Sequence, residues 1–242
     1  MATTYWARLR GHGAAVALEA MRLEYGEMRT PSHIMALGVA FMWLKMYQQA
    51  FDHFDEVIRS APRGPVANPR RSAGVFGMAG AAKWCLGNRG AAVDQWRAGL
   101  TADYADGAGG VQLPMLLYTA SVAAAPAFPK AEAVSILQVK SRDSRITNWP
   151  GPLGRFLLGQ IDQTELNGIL TGMNDIDTGL REWQARFYLG VARMERGDIR
   201  GFREAMRESV QTATDESKPE GFFTRCLWHE EFFIARHELS EN

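Results

Sequence analysis

The sequence predicts an all-α protein built from short, paired helices. Apolar and small residues recur at three- and four-residue spacing along most of the chain, and no segment shows the alternation of a half-buried strand. Proline and glycine clusters, such as Asn68-Pro69 and Gly107 to Gly110, separate the periodic segments and predict turns. We therefore expect about ten short helices joined by short connections.

Composition places the chain among folded globular proteins. It has 242 residues, of which 46% are hydrophobic and 22% charged, enough for a sizeable core. The 27 basic and 27 acidic residues cancel, which argues against a general nucleic-acid binder. The two cysteines form no CxxC pair, so a disulfide scaffold and a cysteine-rich zinc module are both excluded.

The chain carries no evident membrane or secretion segment. Its N-terminus lacks a charged region followed by an apolar one, as a secretion signal requires. The uncharged stretch from Gly107 to Pro129 is interrupted by Pro114 and Pro126, and so falls short of the ~20 residues needed to cross a bilayer. We expect a buried helix there, a cytoplasmic protein and no membrane partner.

Three segments share one pattern built around a glycine. A first helix contains the glycine, a turn follows, and a second helix carries a residue that is small in two of the three segments, then a large residue. Small residues let paired helices approach closely, and the large residue fills the groove between them, as in a helical repeat of about 34 residues. In order, the positions are Gly38, Ala50 and Phe54; Gly80, Ala92 and Trp96; and Gly190, Phe202 and Met206.

This pattern resembles the tetratricopeptide repeat, whose signature has a small residue, an alanine, an aromatic residue and a proline at fixed positions. The first unit matches best and ends with the expected Pro62, whereas the second has Tyr104 at the proline position and the third has Phe202 at the alanine position. The resemblance implies tetratricopeptide-like hairpins stacked as a short α-solenoid in one domain. The units are 31–64, 73–106 and 183–216, with a helical spacer over 107–182 and a C-terminal capping helix over 219–240.

The resemblance also implies binding rather than catalysis, because such stacks expose a concave groove. Trp43 and Trp84 fall at groove positions of adjacent units, which makes the groove apolar and aromatic. Two arrangements remain open. Either the groove holds a hydrophobic segment of a partner, with both tryptophans as anchors, or the aromatic C-terminal segment of this chain fills it. In the second case the partner sits on loops and charged stretches.

Two charged stretches are further candidates for partner binding. A proline-rich loop carries Arg63, Arg70 and Arg71, which either grip an acidic partner or serve solubility. The segment from Gly159 to Leu180 has acidic residues and no basic one, so it either faces a basic partner or supplies charges favoured at helix N-termini. Its acidic residues are Asp162, Glu165, Asp175 and Asp177.

Motifs for metal binding and catalysis are weak. The segment His229-Glu230-Glu231 begins like a zinc-protease motif but lacks the second histidine, so we expect solvated polar residues on a C-terminal amphipathic helix. The glycine-rich segment from Gly107 to Gly110 lacks the lysine of a phosphate loop and is predicted to be a turn. We predict no metal and no cofactor.

The leading hypothesis is a non-enzymatic module that holds a single protein partner. The segments from Asn148 to Gly159 and from Trp183 to Gly197 resemble stand-alone bacterial repeat proteins, some of which are similar to immunity proteins encoded beside polymorphic toxins. That resemblance implies a toxin domain as the partner. One alternative is an adaptor or assembly factor with several partners. The other is a hydrolase with a groove site at His53, assisted by Asp52, Asp55 or Glu56.

Overall fold

The structure, a computed structural model, describes residues 21, 30–60, 72–102, 105–171, 175–215, 217 and 225–240. Every extended regular element in these ranges is a helix, which confirms the all-α prediction. A short 3₁₀ turn spans Ser144–Thr147. The α-helices of the described part are α1 (Pro31–Trp43), α2 (Tyr47–Ser60), α3 (Ala73–Cys85), α4 (Arg89–Gly99), α5 (Gln112–Val122), α6 (Lys130–Lys140), α7 (Gly151–Leu157), α8 (Gln163–Thr171), α9 (Asp175–Glu195), α10 (Ile199–Thr214) and α11 (Glu230–Ser240).

Three hairpins, α1–α2, α3–α4 and α9–α10, contain the glycine-centred segments. The second and third hairpins have the same kind of connection between their two helices. Gly87 and Gly197 adopt positive φ angles of 75° and 79°, which suit a residue without a Cβ. The side chains of Asn88 and Asp198 then accept hydrogen bonds from backbone N–H groups at 3.2 Å and 2.8 Å and cap the second helices.

Each hairpin is closest where its central glycine faces a large buried side chain. A Cβ on Gly190 would lie 2.6 Å from Met206 Cε, and one on Gly80 would lie 2.5 Å from Trp96 Cδ1. The large side chains are fully buried. The absence of a side chain on the glycines therefore sets the spacing of the paired helices. The three pairs are Gly38 with Phe54, Gly80 with Trp96, and Gly190 with Met206.

The uncharged stretch forms the buried helix α5, as expected, with residues from Leu113 to Ser121 all buried. The glycine-rich segment before it is a turn, also as expected, with positive φ at Gly109 and Gly110. Asp106 holds this turn together, because its carboxylate accepts hydrogen bonds from the backbone N–H groups of residues 108, 110 and 112 at 2.8–3.0 Å. In the described part of the chain, no helix is long and apolar enough to span a membrane.

Two helix starts differ from the sequence prediction. Helix α9 begins at Asp175 rather than at Trp183, because the apolar spacing continues upstream through Leu180 and Ile176. The last helix begins at Glu230 rather than at residue 219, and residues 218–224 lie outside the described part. The predicted spacer contains α5 to α8 and the start of α9.

Candidate partner-binding groove

The C-terminal helix α11 lies against α3, α9 and α10, and so occupies the groove between the second and third hairpins. Its residues Phe232, Phe233, Ile234 and Ala235 are at most 1% exposed. The thiol of Cys85, on α3, donates to the carbonyl oxygen of Phe233 at 3.7 Å. Of the two arrangements left open by the sequence, the structure shows the groove filled by the chain's own C-terminal segment.

Trp43 is a half-buried contact of α11. Its ring stacks on that of Phe232, with centroids 6.1 Å apart and planes 16° apart. The guanidinium of Arg236 lies 4.0 Å from the Trp43 ring centroid and donates to the Trp43 carbonyl oxygen at 3.2 Å. Burial lowers the pKa of Arg236 from its usual range.

Trp84 lies in the core, with 2% of its surface exposed. Its indole N–H donates to Glu238 Oε1 of α11 at 2.8 Å, and Arg89 covers its ring at 4.7 Å. Both Trp43 and Trp84 therefore hold α11 in the groove. Their predicted role as partner anchors stays a prediction that requires α11 to leave.

Two adjacent carboxyl groups are buried at the start of α11. Glu230 and Glu231 are 1% and 0% exposed, so the expectation that they are solvated is wrong. Glu230 Oε2 accepts from the side-chain amide of Gln112 at 2.5 Å. Glu231 Oε1 accepts from the Tyr188 hydroxyl at 2.8 Å and from the Gln184 amide at 3.4 Å. Burial, and next the charge of Glu231, raise the pKa of Glu230 well above its usual range.

A chain of hydrogen bonds fixes the groups around Glu231. The Trp149 indole N–H, which can only donate, binds Gln184 Oε1 at 2.7 Å. The Gln184 amide nitrogen must therefore donate, and it lies 3.1 Å from His229 Nδ1. His229 Nδ1 is thus an acceptor and the imidazole is neutral. This agrees with the burial that lowers the pKa of His229 below 6.5.

A cavity of about 220 Å³ remains beside the C-terminal half of α11. We call it the docking cavity. Its walls combine aromatic and aliphatic side chains with two arginines and a glutamate, and Arg89 pairs with Glu238 at 3.4 Å. Ile199 lies on its wall with 43% of its surface exposed. The lining side chains used below are Trp84, Arg89, Phe187, Met194, Ile199, Phe202, Arg203, Ile234 and Glu238.

The predicted charged stretches are described only in part. Arg63, Arg70 and Arg71 lie outside the described residues, as do the side chains of Asp175 and Asp177. The backbone of Asp175 and Asp177 forms the first turn of α9, where acidic residues favour a helix.

The other two residues of the acidic stretch lie at the start of helix α8. Asp162 Oδ1 accepts from the backbone N–H of Glu165 at 2.8 Å, at the start of α8. The Glu165 carboxylate lies 3.7 Å from Arg155. These contacts support the interpretation as helix N-terminal charges. Partner binding by this stretch stays a prediction.

His53 has the contacts of a residue on a helix surface. Its Nδ1 bonds the carbonyl oxygen of Gln49 at 2.9 Å, and its ring packs on Phe41 with centroids 5.0 Å apart. Asp52 accepts from Gln48 at 2.7 Å. Asp55 pairs with Arg59 at 2.7 Å, and the hydrolase alternative stays a prediction.

Metal binding is not predicted from the sequence. Among the described residues, no three or more histidine, cysteine, aspartate or glutamate side chains are grouped to hold a metal ion. His237, on α11, instead packs edge-on against the Tyr47 ring, with centroids 6.2 Å apart.

A scan against protein-family models gives no match for this chain, and a search of curated proteins gives none either. The geometry of the groove, of α11 and of the docking cavity is therefore the basis for a functional proposal.

Proposed function

We propose that the protein is a non-enzymatic module that binds a single protein partner at the docking cavity. The observation that carries the proposal is the composition of this cavity. Its inner wall is made of large apolar side chains, among them Phe187 and Phe202, and Arg89 and Arg203 lie beside them. Aromatic and arginine side chains around a pocket are typical of the few residues that supply most binding energy in protein interfaces.

The cavity also defines the chemistry of the partner. Its charged residues include Arg89, which pairs with Glu238 at 3.4 Å. The apolar wall of the docking cavity continues to the exposed Ile199. An apolar side chain of a partner can therefore enter the cavity in contact with this wall. The proposed partner therefore inserts an apolar residue.

A tetratricopeptide-like stack is part of this proposal. In support, the same glycine-to-large-residue crossing recurs in three hairpins, and α2 packs on α3 while α4 packs on α5. In such a stack α11 serves as the helix that caps the groove. A helix lying in an apolar groove is also a common mode of protein recognition, used here within one chain.

The narrower form of the proposal is that the partner is a toxin domain and this chain its cytoplasmic immunity protein. It is supported by the sequence resemblance to helical-repeat immunity proteins. Such a complex is expected to bury on the order of 1,600 Å² in total.

The test is co-expression with the protein encoded by the neighbouring gene, followed by calorimetric measurement of affinity. Ile199→Glu places a charge on the wall of the docking cavity, and we expect it to weaken binding by about thirtyfold, or ~2 kcal/mol. Val139→Glu is the matched control, because Val139 is also an exposed aliphatic residue, 62% exposed, but lies on α6. It should leave affinity unchanged.

The outcomes separate the forms of the proposal. Equal affinity of Ile199→Glu and the native protein, with equal melting temperatures, would rule out the docking cavity as the site. Absence of any complex with the neighbouring gene product would overturn the immunity form. Tight binding of several unrelated proteins would favour an adaptor instead.

A further inference from the structure

We infer that the buried pair Glu230–Glu231 makes the seating of α11 in the groove depend on pH. The helix is held while Glu230 keeps its proton, and it is released as rising pH ionises the Glu230 carboxyl group. The inference concerns α11 itself and requires no partner.

The carboxyl groups of the pair have few hydrogen-bond donors. Glu231 accepts from Tyr188 and Gln184 at Oε1, and its buried Oε2 has no hydrogen-bond partner among the described residues. Glu230 accepts from the side-chain amide of Gln112 and from its own backbone N–H. Because Glu230 is buried at the start of the same helix as a second buried carboxyl group, ionising it would place a charge where little water solvates it.

Within the described ranges, the elements packed against Glu230 place no cation in an ion pair with it. Helix α3 presents the backbone of Gly77, where a Cβ would collide with the Glu230 side chain. The loop before α5 presents Asp106, whose negative charge further raises the pKa of Glu230. Among the described residues, neither Glu230 nor Glu231 takes part in an ion pair. Two further titratable groups of the described chain lie near the pair, Tyr188 on α9 and His229 directly before Glu230.

The sign of the pH dependence follows from these shifts. The pKa of Glu230 is raised above its ordinary value of 4.5, so the seated helix binds more protons than the released one. Its contribution to stability is complete below about pH 4.5 and is lost as pH rises through the folded pKa. Burial raises the pKa of Tyr188 well above 10, so this group stays neutral throughout.

His229 changes stability with pH in the opposite direction to Glu230. Its pKa is lowered, so its contribution is present above its ordinary pKa of 6.5 and is lost as pH falls through the folded value. Between pH 4.5 and pH 6.5 the contributions of Glu230 and His229 to stability change in opposite directions. Above pH 6.5, of these two groups, Glu230 alone makes stability depend on pH, and release of α11 is measured in that range.

Release of α11 also bears on the proposed function. The helix supplies Ile234 and Glu238 to the docking cavity, so its departure removes one wall. Under the proposed function, alkaline pH therefore weakens partner binding. The labelling experiment below is done without a partner, so it can fail or succeed independently of that function.

Cys85 reports the position of α11 in the intact protein. Its thiol is 5% exposed and lies beneath the main chain of Phe233. The experiment labels the full-length protein with N-ethylmaleimide from about pH 6.5 to about pH 9 and reads Cys85 by peptide mass spectrometry. At each pH, the rate is divided by that of the denatured protein, which removes the ionisation of the thiol itself.

We expect the protection of Cys85 to fall as pH rises, by up to ~tenfold per pH unit. Glu230→Gln keeps the shape and removes the ionisable group, so its protection should be flat over the same range. Glu204→Gln, which changes an exposed glutamate of α10, should behave like the native protein.

Two results would overturn the inference. One is constant protection of Cys85 in the native protein, which does not depend on any variant folding. The other is an equal slope in the native protein and in Glu230→Gln. Amide exchange of α5 provides a further check, because release of α11 alone leaves α5 protected, whereas global unfolding does not.

Discussion

Replacing Gly80 with alanine tests the hairpin packing with a single methyl group. The new Cβ would lie 2.5 Å from Trp96 Cδ1 and 2.8 Å from Cε2, closer than atoms pack. Trp96 cannot easily yield, because it is fully buried, donates to the Gly77 carbonyl oxygen at 3.1 Å and stacks on Trp84 at 5.7 Å. Overpacking costs ~1–3 kcal/mol, and a weakened indole hydrogen bond adds about 1 kcal/mol.

Alanine is also a better helix former than glycine by about 1 kcal/mol, which offsets part of that loss. The net loss is therefore ~1–3 kcal/mol, or roughly 2–10 °C in melting temperature for a chain of this size. Calorimetry or circular dichroism measures it.

The matched control for this prediction is Gly168→Ala. Gly168 is exposed within α8, with open space where the Cβ would be. At this position the substitution causes no overpacking and only improves helix propensity, so the free energy of unfolding should rise by ~0.5–1 kcal/mol. If Gly80→Ala raised the melting temperature as much as Gly168→Ala does, the close crossing of α3 and α4 would be refuted.

Three further predictions concern stability. Trp96→Ala should lower the free energy of unfolding by ~3–5 kcal/mol in urea titration, and a loss under 1 kcal/mol would contradict its place in the core. Asp162→Ala removes the cap of α8 and should cost ~1 kcal/mol, measured in the same way; no change would mean that its hydrogen bond to residue 165 contributes nothing. Glu230→Gln should raise the melting temperature at about pH 8 but not at about pH 4, where the carboxyl is protonated in both states; a gain at the lower pH would point to a cause other than ionisation.

The sequence predicted the elements that depend on local pattern. The glycine-centred hairpins were predicted because helical spacing, turn residues and the Gly80–Trp96 register all lie within one short segment. The filling of the groove was foreseen only as one of two arrangements. The aromatic run around Phe232 indicated burial but did not indicate what would cover it.

The buried carboxyl pair could not be predicted in this way. Glu230 and Glu231 are consecutive and follow His229, a polar run that also fits a solvated first turn of a helix. Their burial comes from partners far away in sequence, Gln112 on α5 and Tyr188 on α9. The one local signal is that large apolar residues flank the pair on both sides, with Leu227 before and Phe232 after.

The docking cavity was missed for the same reason. It is enclosed by residues from six separate helices, and its volume depends on how much of the groove α11 leaves unfilled. The resemblance to the tetratricopeptide repeat predicted that Trp84 faces the groove. It could not show that Glu238 would take the indole hydrogen bond and make Trp84 part of the core.

Hydrogen exchange of the backbone amides of α11 tests most directly whether this helix fills the groove of the chain. We predict that the amides from Phe233 to Glu238 exchange about a thousandfold more slowly than in an unstructured peptide, close to the rate of the α3 amides. Exchange of α11 at the unprotected rate, with α3 still protected, would show that the helix does not lie in the groove and would contradict this arrangement.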